Sequence, residues 1–249
     1  MSSYLIPNLV NACQIMNLLA ESEDGITSAD IHDKLDIPKT TAFRIMKTLC
    51  HEDISTKVDN KYFLGSSLIH CGLKANLTNK LKTNSVPILS ELSAATGFTA
   101  HICIPNGYHS LILDVHDSLN PFRVASRPGT KANLHCSSSG KIFLAHLLQD
   151  KLDEVEQEIG FVKKTIKTLT TIDALKEEIQ KIVHRGYSVD DQEYDMNVRC
   201  LAAPLFDYNG HAVAAIGITA PSAVFTRNKI PEIAIIVKEH ATKLYFANK

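Results

Sequence analysis

The run His135, Cys136, Ser137, Ser138, Ser139, Gly140, Lys141 leads directly into the apolar pattern Ile142, Phe143, Ala145, Leu148. Hydroxyl side chains at a helix start cap it, and the first backbone N–H groups there have no intrahelical partner. The helix dipole makes that end positive, which suits a carboxylate or a phosphate. A serine-rich helix start also serves as a plain cap, so the run alone does not distinguish the two uses. Three of its residues and their neighbours invite other chemistries. Cys136 or Cys200 with His135 and Asp190 are the residue types of a thiol nucleophile, its base and an orienting acid. Such a thiol needs a depressed pKa, which only its surroundings supply. No G-x-S-x-G, phosphate-binding glycine loop or H-E-x-x-H is present, so enzyme activity is not expected. His101 and Cys103, two residues apart, share one face of a strand, and His116, His135 or Cys200 could complete a zinc site. Half-buried strand residues and surface histidines are the commoner role for these types, so no metal and no cofactor are expected.

A second chemistry lies near the other end. After Pro38 comes a helical stretch to about residue 51 whose inward stripe is Ala42, Ile45, Met46 and Leu49. Lys39 opens it, and Thr40, Thr41, Arg44, Lys47 and Thr48 occupy the opposite arc, with no acid between Ile37 and His51. Such a face suits the major groove of DNA, where Arg and Lys reach guanine edges or phosphates and Thr reaches either. Lys57 and Lys61 flank a tight Asp59-Asn60 turn between two short β segments, the pattern of a wing that touches the DNA backbone. Acids outnumber bases over the first 65 residues, but they fall mainly outside this helix and the wing tip, and local sign decides contact.

The elements that must position these residues follow from the chain as a whole. It has 249 residues, 26 basic against 27 acidic, and 45% apolar content. Those values point to one large or two modest globular domains and exclude a disordered chain. The six cysteines are scattered without a C-x-x-C, so reduced, buried thiols are expected rather than a disulfide framework. No apolar run reaches membrane-spanning length, and the start lacks a signal-peptide pattern, so a soluble cytoplasmic protein without membrane partners is expected.

A first helix is predicted from an apolar stripe of Leu9, Ala12, Cys13, Met16, Leu19 and Ala20. Thr27 with Asp30 forms a capping box, with Ile26 and Ile31 as its hydrophobic staple, for a second helix from about residue 28 to 36. Residues 67–92 are helical in pattern, with a break or kink at 84–86 because of Pro87. Strands are expected at 99–105, 110–116, 122–126, 198–206 and 212–219. Helices are expected at 138–148, 151–159, Ile172–Arg185 and 229–245. Strands, a helical middle and strands again suggest a mainly antiparallel sheet covered by helices.

Taken in order, several stretches resemble the IclR-type bacterial transcription regulators over nearly the whole chain. They are residues 35–49 around Pro38, Lys39, Thr40, Thr41 and Arg44, then Lys61-Tyr62-Phe63-Leu64-Gly65, and Leu134-His135 through Gly140-Lys141. Gly186-Tyr187 leading to Asp190, Glu193 and Cys200 follows, then Ala202-Ala203-Pro204, Asp207, Gly210 and Ala214-Ala215. The resemblance implies an α+β chain: an N-terminal winged helix-turn-helix (1–66), a linker helix (67–84) and a C-terminal GAF-like effector domain (85–249). It implies a homodimer or dimer of dimers on a double-stranded DNA operator. It also implies a pocket for a small organic acid, with the carboxylate on the backbone at Ser138 and Ser139 and with Asp190 and Cys200 in its wall. His135 and Ser137 adjoin this site. Asn197 stands where the family usually has glycine, Asn11 where an arginine is frequent, and Ser138 and Ser139 where small apolar residues or glycine are common. The more polar rim points to a hydroxylated effector, such as a sugar acid or another hydroxy or keto acid. The alternatives are a small-molecule or zinc-containing sensor acting through protein contacts, or a thiol enzyme using Cys200 and His135.

Overall fold

The computed structural model describes residues 4–78, 80–120, 124, 126–207 and 209–247. The chain divides into two compact units, 1–79 and 80–249.

The first unit holds α1 (Pro7–Ala20), α2 (Ser28–Leu35), α3 (Lys39–His51), the antiparallel hairpin β1 (Ser55–Val58) and β2 (Lys61–Leu64), and α4 (Ser66–Thr78). The capping box forms as the sequence predicts: the Asp30 N–H donates to Thr27 Oγ1, and the Thr27 N–H donates to Asp30 Oδ2 at 2.7 Å. Ile26 and Ile31 are both buried. In α3 the buried residues are Ala42, Ile45, Met46 and Leu49, so the opposite arc is free for a partner. The expected stripe of α1 needs correction. Ile15 and Leu19 are its buried residues, whereas Leu9, Cys13 and Ala20 are exposed. Apolar residues surround this helix, so periodicity alone does not choose the inward face.

The second unit holds α5 (Lys80–Thr96), β3 (Thr99–Asn106), β4 (His109–His116), β5 (Lys131–Asn133), α6 (Ser138–Leu147), α7 (Leu152–Ile159), α8 (Ile172–Arg185), β6 (Ser188–Asp191), β7 (Val198–Phe206), β8 (Ala212–Pro221) and α9 (Ile230–Ala247). Its sheet runs β5-β4-β3-β8-β7-β6, with every neighbouring pair antiparallel. Strand alternation splits the core in two. Ile102, Leu201, Ala203, Ala214 and Ile216 pack with α5 and α9, while Cys103, Ala202 and Ala215 pack with α6, α7 and α8. Cys200, Thr219 and His101 fall in phase with this second set, so the α6 face of the sheet carries the polar residues.

Three expectations change. The break at 84–86 is absent, because α5 runs through Pro87. A proline inside a helix costs about 3 kcal/mol, and burial of Ile88, Leu89 and Leu92, at about 1.5–3 kcal/mol each, offsets it. Across the expected linker and the start of the expected effector domain, helices span Ser66–Thr78 and Lys80–Thr96. Of the strand expected at 122–126, residues 122, 123 and 125 lie outside the described residues. The edge strands β5 and β6 were not expected; both are short, and charged or polar residues on sheet edges blunt the strand signal.

Candidate functional site

A cavity of about 240 Å³ opens between the N-terminus of α6 and the sheet. Ser137 is the N-cap of α6: its hydroxyl accepts the Gly140 N–H at 3.1 Å and donates to the Asn133 carbonyl at 2.6 Å. The Lys141 N–H bonds back to the Ser137 carbonyl. The backbone N–H groups of Ser138 and Ser139 have no hydrogen-bond partner among the described residues. Ser138 and Ser139 nevertheless stand fixed, the first through its carbonyl on the Ser188 hydroxyl and the second through its own hydroxyl, 2.8 Å from Ser110 Oγ. Gly140 lets the turn close, since a Cβ there would lie 2.5 Å from Leu134 Cα and 2.7 Å from its carbonyl oxygen. Two free amides at a positive helix end make a cradle for one carboxylate.

The sheet supplies the rest of the wall. Asp190, Cys200 and Thr219 stand directly opposite one another across β6, β7 and β8, with Cys200 Sγ 2.6 Å from Thr219 Oγ1. Asp190 Oδ1 accepts the N–H groups of Glu193 (2.7 Å) and Tyr194 (3.2 Å). Burial pushes the Asp190 carboxyl up to about 7, against the lowering pull of Lys141 and those two N–H groups. Burial also lowers His101 to about 4 and raises Cys103 to about 11. No lysine or arginine is among the described residues that line the cavity. Behind the wall, the buried Lys141 Nζ donates to the Val189 carbonyl and to Glu193 Oε1, both at 2.6 Å. It thereby ties α6 to the segment that carries Asp190. The Thr165 and Thr168 hydroxyls hold the carbonyls of Gln192 and Glu193, each at 2.7 Å.

Of the ligand residues expected from sequence, Ser137, Ser138, Ser139, Asp190 and Cys200 meet at this cavity. His135 does not: its ring packs against Phe161, and Nε2 lies 3.0 Å from the Val162 carbonyl. Asn197 is exposed and off the cavity wall, at φ 67°, a left-handed conformation that glycine and asparagine tolerate. With His135 turned away, the thiol-enzyme alternative loses its base. Burial raises Cys200 and takes Cys136 up to about 12, so neither thiol becomes a thiolate near neutral pH. His101 and Cys103 do share the cavity, but no group of three His, Cys, Asp or Glu side chains among the described residues could hold a metal. Thr219 and Tyr194 on the cavity wall, and Ser110 behind Ser139, are among the residues that sequence reasoning passed over. Thr219 stands opposite Cys200 only through the pairing of β7 with β8, a register that a single sequence does not supply.

In the first unit Lys39, Thr40, Arg44, Lys47 and Thr48 are exposed along α3, and Thr41 is half-buried. The Thr48 hydroxyl donates to the Arg44 carbonyl at 3.0 Å, which leaves it an acceptor rather than a donor towards a phosphate. Lys47 Nζ lies 5.7 Å from the ring centroid of Phe43, itself half exposed on this face and missed from sequence because apolar residues read as core. An exposed aromatic there can meet a thymine methyl. On the hairpin, Lys57 and Lys61 are both exposed, with Lys57 Nζ 5.3 Å from the Tyr62 ring centroid.

Comparison with known proteins gives a consistent result. Residues 75–245 match the family model described as bacterial transcriptional regulator IclR C-terminal, and residues 8–54 match the IclR helix-turn-helix domain. The HTH-type transcriptional regulator BhcR of Paracoccus denitrificans is 31% identical over 240 residues, covering 96% of this chain and 86% of that protein. The transcriptional repressor IclR of Escherichia coli is 25% identical over 246 residues, covering 97% of this chain and 90% of that one. A crystal structure of an IclR homolog from Microbacterium hydrocarbonoxydans, complexed with 4-hydroxybenzoate, has a similar fold. Its TM-score is 0.75 at 20% identity, over 96% of this chain and 98% of that one.

Proposed function

The chain belongs to the IclR family of bacterial transcriptional regulators, DNA-binding proteins with a C-terminal effector domain rather than enzymes, and from that premise we propose how its two surfaces work. The cavity takes a small hydroxy or keto acid as effector. Its carboxylate rests on the N–H groups of Ser138 and Ser139, and Asp190, Cys200 and Ser137 line the remainder. The observation that carries this reading is the pair of unpartnered amides opening on a cavity of about 240 Å³. That is below the roughly 300–1,000 Å³ typical of pockets for drug-sized ligands, and it suits a small metabolite. That a homologue holds 4-hydroxybenzoate supports an acid in this fold.

At the other end, α3 enters the major groove with Arg44 on a base edge. Lys39, Thr40, Thr41 and Lys47 make phosphate or supporting contacts, and Lys57 and Lys61 track the backbone. The protein acts as a homodimer or dimer of dimers on a roughly palindromic operator. Ile69 and Leu73, exposed one turn apart on α4, favour such an assembly. The effector works by binding more tightly to one of two states that differ in operator affinity.

Ser138→Pro tests the cradle. Proline is favoured at the first helical position, and Ser137 already has the extended backbone (ψ 149°) that precedes a proline, so the variant deletes one amide and keeps the helix. A lost hydrogen bond to a charged group is worth roughly 1.5–3 kcal/mol. Calorimetry with small hydroxy acids should show that loss, while apo-protein DNA binding stays as in the parent. Unchanged acid affinity refutes the cradle.

A further inference from the structure

His101 lines the same cavity as Ser138 and Ser139 and is only 5% exposed, yet its Nδ1 is sealed from solvent without a hydrogen-bond partner among the described residues. No hydrogen bond reaches Nε2 either. The neighbouring polar groups are engaged: Cys200 with Thr219, Ser139 with Ser110, and Asp190 with two backbone N–H groups. A polar group left without a partner is unfavourable, and a missing ligand is one reason a native structure keeps it. Nδ1 is sealed, so Nε2, which is not, is the nitrogen that a ligand in the cavity meets. The residue's place in the sheet supports that reason. His101 pairs with Gly217 of β8, and Thr219, two residues along the same strand, shares its face. Cys200 and Asp190 continue the row across β7 and β6. The imidazole thus belongs to the polar sheet wall of the cavity, whereas the amide cradle comes from α6.

The chemistry of that wall narrows the ligand. Burial holds the imidazole neutral at pH 7, with one ring nitrogen donating and the other accepting. A neutral ring partners a hydroxyl or a carbonyl oxygen equally well. It cannot compensate a second carboxylate, and no described lysine or arginine lines the cavity to do so. One end of the cavity therefore suits a single anion and the other suits a neutral oxygen.

We propose that His101 is a specificity-determining residue of the effector cavity: it hydrogen-bonds a hydroxyl or carbonyl oxygen on a bound monocarboxylate and selects against dicarboxylates. This rests on the reading of the cavity as an acid site, and the test keeps the two apart. Full-length protein is titrated calorimetrically with straight-chain acids of three to six carbons. At each length three probes are compared: the ω-hydroxy monocarboxylate, the unsubstituted monocarboxylate and the α,ω-dicarboxylate. At the best-fitting length the hydroxy acid should bind at least tenfold more tightly than its unsubstituted analogue, and the dicarboxylate more weakly than both. His101→Leu should bring the first ratio close to one. His101→Gln, which keeps one polar group, should retain part of the preference. In the unaltered protein the ring nitrogens of His101 should shift in 15N spectra on adding the hydroxy acid and not the unsubstituted one, a readout that holds even where a variant fails to fold. Equal affinities for hydroxy and unsubstituted acids, a dicarboxylate that binds as tightly as the hydroxy acid, or a ratio unmoved in His101→Leu overturns the assignment of His101 alone. Absence of binding by every acid in the series overturns the acid site and this inference with it.

Discussion

Asp190→Asn perturbs the one cavity group whose protonation the fold moves into the physiological range. Burial raises the carboxyl to about 7 from its usual 3.8. A carboxyl raised in the folded state keeps a proton that the unfolded chain has already released. Its contribution to stability is therefore fully present below pH 3.8 and is lost as pH rises through about 7. Each pH unit inside that window is worth about 1.4 kcal/mol, so the whole window amounts to roughly 4 kcal/mol. Asparagine keeps an oxygen for the Glu193 and Tyr194 N–H groups and an N–H where the acid has its proton, but it does not ionise. Urea unfolding of both proteins by circular dichroism, from pH 5 to pH 8, isolates the effect as a difference. The variant should gain on the parent by about 1.4 kcal/mol per unit up to about pH 7 and level off above it. A difference that is flat across the range means that Asp190 is ionised in the fold. The neutral wall on which the ligand argument depends would then be wrong.

Three further outcomes follow from the two surfaces. Arg44→Ala should lose roughly 1–3 kcal/mol of discrimination between operator and non-operator DNA; a competition shift assay in which the variant selects the same operator removes Arg44 from base contact. Lys57→Ala and Lys61→Ala should each lower the slope of log K against log salt by roughly 1 without changing sequence preference, and an unchanged slope takes the wing off the DNA backbone. Gly140→Ala should destabilise the effector unit by roughly 1–3 kcal/mol, because the added Cβ meets Leu134 backbone that cannot step aside; a melting midpoint equal to the parent's contradicts that packing.

The first unit was readable from sequence where local rules agreed with one another. Thr27 and Asp30 named the start of α2, and the four buried positions of α3 are the four that its periodicity picks. It misled at α1, where apolar residues on every side allow two stripes and tertiary contact chooses Ile15 over Cys13. In the second unit Ser137, Ser138 and Ser139 pointed to the cradle because capping is a local property. His101 was visible as a strand histidine and a candidate zinc ligand, not as an effector residue, since its lack of a partner depends on what the neighbouring strands place beside it. His135 carried the same local context as the serines, yet the 161–162 segment, remote in sequence, takes its ring away from the cavity. Pro87 is the plainest failure of a local rule, overridden by the apolar face of α5 against α9 and the sheet.

On the proposed reading the two surfaces recognise anions by opposite physics, which is why overall composition concealed both. On that reading DNA is met by the exposed charges on α3 and the hairpin, whose free energy comes largely from releasing counterions and so depends steeply on salt. On the same reading the cavity meets a carboxylate with fixed dipoles, two amides at a helix end, and with hydroxyl, thiol and imidazole groups, beside an Asp190 carboxyl that burial pushes up to about 7. Screening by salt acts weakly on such a buried arrangement. Among the described residues no positive side chain lines the cavity that would also draw in phosphates or nucleic acid. The net charge of −1 is the sum of a locally basic face and an acidic remainder, and on the proposed reading the acids of the first unit lower non-specific DNA affinity and leave selection to the few cations that face the groove.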